Sequence, residues 1–204
     1  MRLGVLLFVV IAIAGAIWFG MAGALAPTVA EETLYSGTGE TNLDLNSDDN
    51  VLMLDTKHGQ VVIQMRPDLA PIHVQRIKEL VRSGFYDGLT FHRVIEGFMA
   101  QGGDPDGKGT GGSGLNLPAE FTDTKFKRGI VGMARSRDIN SADSQFFIML
   151  GTAPHLNDKY TVWGEVTDGM DVVDAIKKGN KNANGQISGA PDKIKRMHIK
   201  ADGS

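Results

Sequence analysis

Cysteine is absent from the 204 residues, which excludes disulfides, thiolate nucleophiles and Cys-ligated zinc. Clustered cations are missing too. The net charge is −3, and a phosphate backbone needs concentrated Lys and Arg, so no nucleic-acid partner is expected. The histidines, His58, His73, His92, His155 and His198, lack the H-E-x-x-H spacing of a zinc helix. No G-x-S-x-G elbow surrounds Ser141 or Ser144, so nucleophilic serine chemistry has no setting.

Two further motifs fail on context. Gly109-Thr-Gly-Gly-Ser-Gly114 matches G-x-G-x-x-G by letter, but a dinucleotide fingerprint follows a strand and opens a helix. Here Asp104-Pro-Asp-Gly107 precedes it and Leu115-Asn-Leu-Pro118 follows. Asp104-Pro-Asp106 opens like a calcium loop, yet Lys108 takes the fifth ligand position and Leu115 the twelfth, where a bidentate Glu is required. Neither a cofactor nor a metal is expected.

What is present divides along the chain. With 42% hydrophobic and 22% charged residues, the composition describes one globular domain with an appendage. The appendage is N-terminal: from Leu3 to Ala26 no residue is charged. Spanning a bilayer takes ~20 apolar residues, against about 7–15 for the apolar part of a signal peptide. Length therefore points to a retained anchor. Small-residue patterns at Ala24-Leu-Ala26 and Thr28-Val-Ala30 offer cleavage sites, although Pro27 hinders the first. Residues 1–26 are an N-terminal hydrophobic helix under both alternatives, transmembrane anchor or signal segment. Arg2 is the only side-chain cation near it, and Glu31, Glu32, Glu40, Asp44, Asp48 and Asp49 follow it. The positive-inside rule then puts the main domain outside, so the chain is exported. Residues 27–49 contain no Lys or Arg, carry acids among Gly, Ser, Thr and Asn, and are expected to be a flexible acidic linker. The folded domain is expected over residues 50–202.

Within that domain, Val51-Leu-Met-Leu-Asp-Thr56 and Gln60-Val-Val-Ile-Gln-Met65 alternate like strands, and Lys57-His-Gly59 suits the hairpin turn between them. Pro71 starts a helix in which Val74, Ile77, Leu80 and Val81 share a face, and Gly84 stands at its C-terminal cap. Strands are predicted over 129–134, 145–150, 160–166 and 193–200. A second helix is predicted over 170–178, with Val172, Val173 and Ile176 inward. The fold class is mainly β: a closed eight-stranded antiparallel barrel capped by two α-helices.

The domain is organised around Phe91-His-Arg-Val-Ile-Glu-Gly-Phe-Met-Ala-Gln-Gly-Gly-Asp104. As two short strands bent at Gly97, it brings Arg93, Phe98, Met99 and Gln101 together: a cation, two apolar walls and an amide. An arginine in an apolar strand must either meet an acid such as Glu120 or line a wet groove.

This stretch, with Gly109-Thr-Gly-Gly-Ser113, Met133-Ala-Arg-Ser136, Asn140-Ser-Ala-Asp-Ser-Gln-Phe-Phe-Ile148 and Tyr160-Thr-Val-Trp-Gly-Glu-Val166, closely resembles the cyclophilin family of peptidyl-prolyl cis-trans isomerases, its bacterial subgroup nearest. The resemblance runs from about Val51 to about Lys200. It implies an isomerase of X-Pro bonds that assists folding of exported proteins, with proline-containing polypeptides as partners and a monomeric catalytic domain. The N-terminal segment, which lies outside the resemblance, places that domain at the periplasmic face of the inner membrane as an anchor, or in the periplasm if that segment is cleaved. Carried onto matching positions, Arg93, Phe98 and Gln101 are catalytic. His92, Met99, Ala134, Arg135, Phe147, His155, Leu156 and Tyr160 line the substrate site. A different class remains, a proline-peptide-binding chaperone or assembly scaffold with little turnover; many scaffold-type relatives lack the arginine that Arg93 supplies. Two positions depart from the family pattern. His155 stands where many cyclophilins carry a tryptophan that hydrogen-bonds cyclosporin, and Tyr160 where many carry a histidine, so weak cyclosporin sensitivity is expected.

Overall fold

Alternation sets the first hairpin. In this computed structural model, which describes residues 44–203, β1 (Val51–Thr56) buries Leu52, Leu54 and Thr56, and β2 (Gly59–Met65) buries Val61, Ile63 and Met65. A period of two places each set on one face. Thr56 pairs with Gly59 across a two-residue turn, Lys57-His58. Helix α1 (Pro71–Arg82) buries the predicted stripe of Val74, Ile77, Leu80 and Val81. Gly84 ends it at φ +71°, a left-handed value that suits glycine. Ala70 has no side chain to cap the other end. Glu120 does so from a distant loop, accepting the backbone N–H groups of Ile72 at 3.0 Å and His73 at 2.9 Å.

The remaining strands are β3 (Arg93–Ile95), β4 (Met99–Gly102), β5 (Ile130–Met133), β6 (Phe146–Met149), β7 (Val162–Asp168) and β8 (Arg196–Ile199), with α2 (Met170–Ala175) between the last two. All pair antiparallel in the order β3-β4-β6-β5-β7-β2-β1-β8. No ladder joins β3 to β8, so the expected closed barrel is an open half-barrel. The reason lies in residues 179–194, which reach β3 as turns. Gly179 N–H donates to the Val94 carbonyl at 2.9 Å, Val94 N–H to Gly185 at 2.8 Å, and Phe91 N–H to Asp192 at 2.9 Å. Pro191 has no donor, and Gly185, at φ +79°, lies so close that a Cβ there would fall 2.3 Å from Ile95 Cγ1. Such a segment fills the seam without extending the sheet. Helix α2 also differs from its predicted span: it stops at Ala175 because Ile176 turns to φ −59°, ψ 133°. Val173 and Ile176 are still buried, whereas Val172 is only partly so.

Alternation in the central strands separates two cores. Ala100, Phe146 and Ile148 face the larger one, which α1 and α2 cover. Met99, Phe147 and Met149 join Phe126, Ile130, Leu156 and Val162 in a second cluster. The candidate site opens above that second cluster.

Residues 1–26, expected to be an anchor or signal segment, and residues 27–43 of the expected linker lie outside the described residues. The end of the linker is docked on the domain. Asp49 pairs with Lys78 and with Arg82 (2.7 Å), Asp48 with Lys200 (2.8 Å), and Gln64 donates to the Leu45 carbonyl at 2.6 Å. Among the described residues no helix is long and apolar enough to cross a membrane.

Candidate active site

Strand β3 is three residues long, and its centre decides the site: Val94 is buried while Arg93 and Ile95 on either side are half-exposed. Arg93 therefore turns out of the core. It makes no ion pair among the described residues, because Glu120, the acid considered from sequence, is committed to α1 and to His73 at 2.5 Å. Neutral groups hold the guanidinium instead. Nε donates to the Asn184 carbonyl at 2.9 Å, Nη2 to Asn184 Oδ1 at 2.9 Å, and Nη1 to Gln101 Oε1 at 3.0 Å. Desolvation draws the Arg93 pKa below its usual value, with the nearby Tyr160 acting the other way; the group starts so high that it stays a cation. Nη1 and Nη2 each keep one N–H without a partner among the described residues.

Gln101 is oriented by the next link, its Nε2 donating to Gln145 Oε1 at 2.9 Å, and Gln145 Nε2 donates to the Gly111 carbonyl at 2.8 Å. Strand register makes this possible, since Arg93 lies opposite Gln101, and Gln101 opposite Phe147. One cation, one amide and one aromatic ring thus meet across β3, β4 and β6.

The apolar part comes from the second core. Met99, Phe147 and Leu156 are buried at its floor. Phe147 packs on Phe126 at 5.7 Å between ring centroids and edge-on to Tyr160 at 5.9 Å. A one-turn helix at Pro154–Leu156 carries Leu156 inward and His155 to the rim, where its ring lies 5.6 Å from that of Phe98. Arg135 covers Tyr160 at 4.6 Å and is tied to the Lys159 carbonyl. All eleven residues predicted for the site, His92, Arg93, Phe98, Met99, Gln101, Ala134, Arg135, Phe147, His155, Leu156 and Tyr160, line one groove of about 700 Å³.

His92 breaks the expected alternation. Strand pairing starts only at Arg93, so Phe91 is fully buried and His92 borders the groove alongside the arginine. Its buried ring has no well-aligned hydrogen-bond partner among the described residues, and desolvation lowers its pKa, outweighing the pull of Asp104 and of the Thr90 backbone. A lowered pKa favours the neutral imidazole at pH 7, and nothing in its surroundings gives it a proton-transfer role.

The glycine-rich loop after β4 wraps a side chain of the protein itself. Asp104, buried, accepts backbone N–H groups from Asp106 (2.8 Å), Lys108 (2.9 Å), Gly109 and Thr110 (3.1 Å). Those donors point inward, and Gly109 and Thr110 form part of one wall of a smaller adjoining hollow of about 350 Å³.

Sequence reasoning missed Asn184, Gln145 and Gln186, the last of which pairs with Arg93 across the seam and lines the groove. Gln145 stood inside the quoted Ser-Gln-Phe-Phe motif and could have been taken from it. Asn184 and Gln186 are adjacent to Gly185 in a seam segment whose sequence resembles a surface turn, and nothing in their spacing points to Arg93.

The family model described as cyclophilin type peptidyl-prolyl cis-trans isomerase/CLD matches residues 51–199. A probable peptidyl-prolyl cis-trans isomerase from Brucella suis is 52% identical over 166 residues, covering 76% of this chain and 84% of the relative. A peptidyl-prolyl cis-trans isomerase from Synechococcus elongatus is 41% identical over 131 residues, 63% of this chain and 90% of the relative. Among solved structures, a cyclophilin from Hirschia baltica aligns with TM-score 0.67 and 28% identity, covering 78% of this chain and 76% of that one. A cyclophilin-type isomerase from Cryptosporidium parvum, crystallised in the presence of the dipeptide Ala-Pro, aligns with TM-score 0.66 and 30% identity, covering 73% and 98%.

Proposed function

We propose how the groove works from the premise that this chain belongs to the cyclophilin-type peptidyl-prolyl cis-trans isomerases and is an enzyme of that class: Arg93 favours the twisted state of an X-Pro amide. Rotating such a bond costs ~18–20 kcal/mol because partial double-bond character is lost, and the reaction makes or breaks no covalent bond. The protein need only bind the twisted amide better than the planar one. On twisting, the proline nitrogen becomes pyramidal and gains a lone pair. A permanently charged guanidinium can donate to that lone pair, while the planar amide offers it little.

The observation that carries this mechanism is the state of Arg93: fixed by three neutral hydrogen bonds, unpaired with any acid among the described residues, and holding free N–H groups beside an apolar hollow. An acid partner would have neutralised the charge. The pyrrolidine ring sits on Met99, Phe147 and Leu156, walled by Phe98 and Tyr160. Gln101 lies within reach of the carbonyl before proline, so one half of the peptide is held while the other rotates. Raising a conversion that takes tens of seconds to about a thousand per second requires ~5–7 kcal/mol. One charged hydrogen bond formed in the twisted state, together with positioning, is of that order.

The test is a proline-isomerisation assay on Ala-Pro-type peptides. Arg93→Ala is expected to lose on the order of 10²–10³-fold in kcat/KM with the folded spectrum retained. Equal rates for the two proteins would discard the mechanism.

The same proposal extends to clients. The uncharged run from Leu3 to Ala26, with Arg2 before it and acids after it, supports export of the domain. Its substrates are then polypeptides folding outside the cytoplasm.

A further inference from the structure

We propose that Asn184 is a positioning residue for Arg93: it grips the side edge of the catalytic guanidinium without neutralising it. The proposal rests on Arg93 being the catalytic cation. Asn184 supplies two acceptors from one residue, its carbonyl to Nε and its Oδ1 to Nη2, both at 2.9 Å. Carbonyl and side chain must face the same way to do this. The backbone meets that demand by taking φ +52°, a left-handed conformation that asparagine tolerates better than most residues with a Cβ.

The turn is also registered on the strand that carries the arginine. Gly185, the next residue, accepts Val94 N–H at 2.8 Å, and Gly179 donates to the Val94 carbonyl at 2.9 Å. Gly185 N–H closes the turn on Asn180 at 2.9 Å. Asn184 therefore cannot shift along β3. Gln101 holds Nη1 from the other side, so the guanidinium plane is fixed before substrate arrives. A free arginine would lose its rotamer freedom during the twist; here that loss belongs to folding. Every holding group is neutral. An aspartate at 184 would keep the grip but pair the charge, weakening attraction for the developing lone pair.

The experiment compares the full-length protein with Asn184→Gly, alone and combined with Arg93→Ala, on an Ala-Pro peptide. Glycine keeps the left-handed backbone and the carbonyl and removes the side chain, and with it the Oδ1 that accepts from Arg93 Nη2. In the Arg93 protein, kcat is expected to fall about tenfold, with KM within about twofold because the guanidinium that Asn184 positions acts only in the twisted state. The thermal midpoint is expected to stay in place. In the Arg93→Ala protein, Asn184→Gly is expected to change nothing further. Equal fractional losses in both backgrounds, or no loss of kcat with Arg93 present, would overturn the positioning role. Full activity in Arg93→Ala itself would overturn the assignment of Arg93, and Asn184 would fall with it. Asn184→Asp is the second variant: lowered kcat at unchanged KM supports the need for a neutral grip, and full kcat refutes it.

Discussion

Position 155 stands where ligands wider than a proline residue are expected to meet the groove. His155 is carried to the rim by a single helical turn and faces Phe98 with ring centroids 5.6 Å apart. An imidazole offers a donor but a smaller apolar face than the indole that many cyclophilins place there. In the proposed mechanism Arg93 serves the twisting amide, so turnover does not depend on which ring stands at position 155. Cyclosporin is therefore expected to inhibit the protein weakly. His155→Trp should tighten inhibition by up to about tenfold with peptide turnover unchanged, read from inhibition curves against the isomerase assay. No gain in the tryptophan variant would mean that position 155 does not contact the inhibitor.

Among elements, the seam between β3 and β8 carries more responsibility than a strand edge usually does. Asp192 is its anchor: the buried carboxylate meets Lys57 at 2.5 Å, His58 at 2.8 Å and the Lys177 backbone N–H at 2.9 Å. These contacts tie the β1–β2 turn and the end of α2 to the chain that packs on β3. Burial pushes the Asp192 pKa up, but Lys57, the Lys177 amide and His58 together hold it down to about 2, from 3.8. A depressed carboxyl stabilises the fold above its unfolded pKa and loses that contribution as pH falls through the folded value. Here the window runs from 3.8 down to about 2, and the drop corresponds to about 2 kcal/mol. Asp192→Asn is expected to lower unfolding free energy by about that amount at pH 7. The deficit should shrink toward pH 2, measured by urea unfolding at both values. An undiminished deficit at pH 2 would assign the loss to packing instead of charge.

At the scale of the whole molecule, the folded unit begins before the family match does. Asp48 and Asp49 clamp residues 44–50 against α1 and the C-terminal turn, through Lys78, Arg82 and Lys200. A segment leaving the domain at residue 44 starts from a fixed point on its surface. Export through the N-terminal segment predicts that the full-length protein fractionates with membranes, or appears in the periplasm as a shortened chain if the segment is cleaved. In either case residues beyond Pro27 should be open to a protease added outside the inner membrane. A domain protected from that protease until the cells are lysed would refute the orientation.

The sequence by itself determined the strand alternation and the buried stripe of α1, each through chemistry repeated at short, fixed spacing. Phe146 and Phe147 show why: adjacent in the chain, they face opposite cores because successive side chains of a strand point apart. Eleven residues of the groove were legible through the resemblance of its motifs to cyclophilins, while Asn184, Gln145 and Gln186 were missed. Arg93 and Gln101 were legible together because β3 and β4 are joined by a tight bend. Only the tertiary structure decided that the barrel stays open, that Glu120 serves α1 and His73 instead of Arg93, and that Asn184 holds the guanidinium. Asn184 lies 91 positions from Arg93, and a contact at that separation depends on how the seam packs, which no local period encodes.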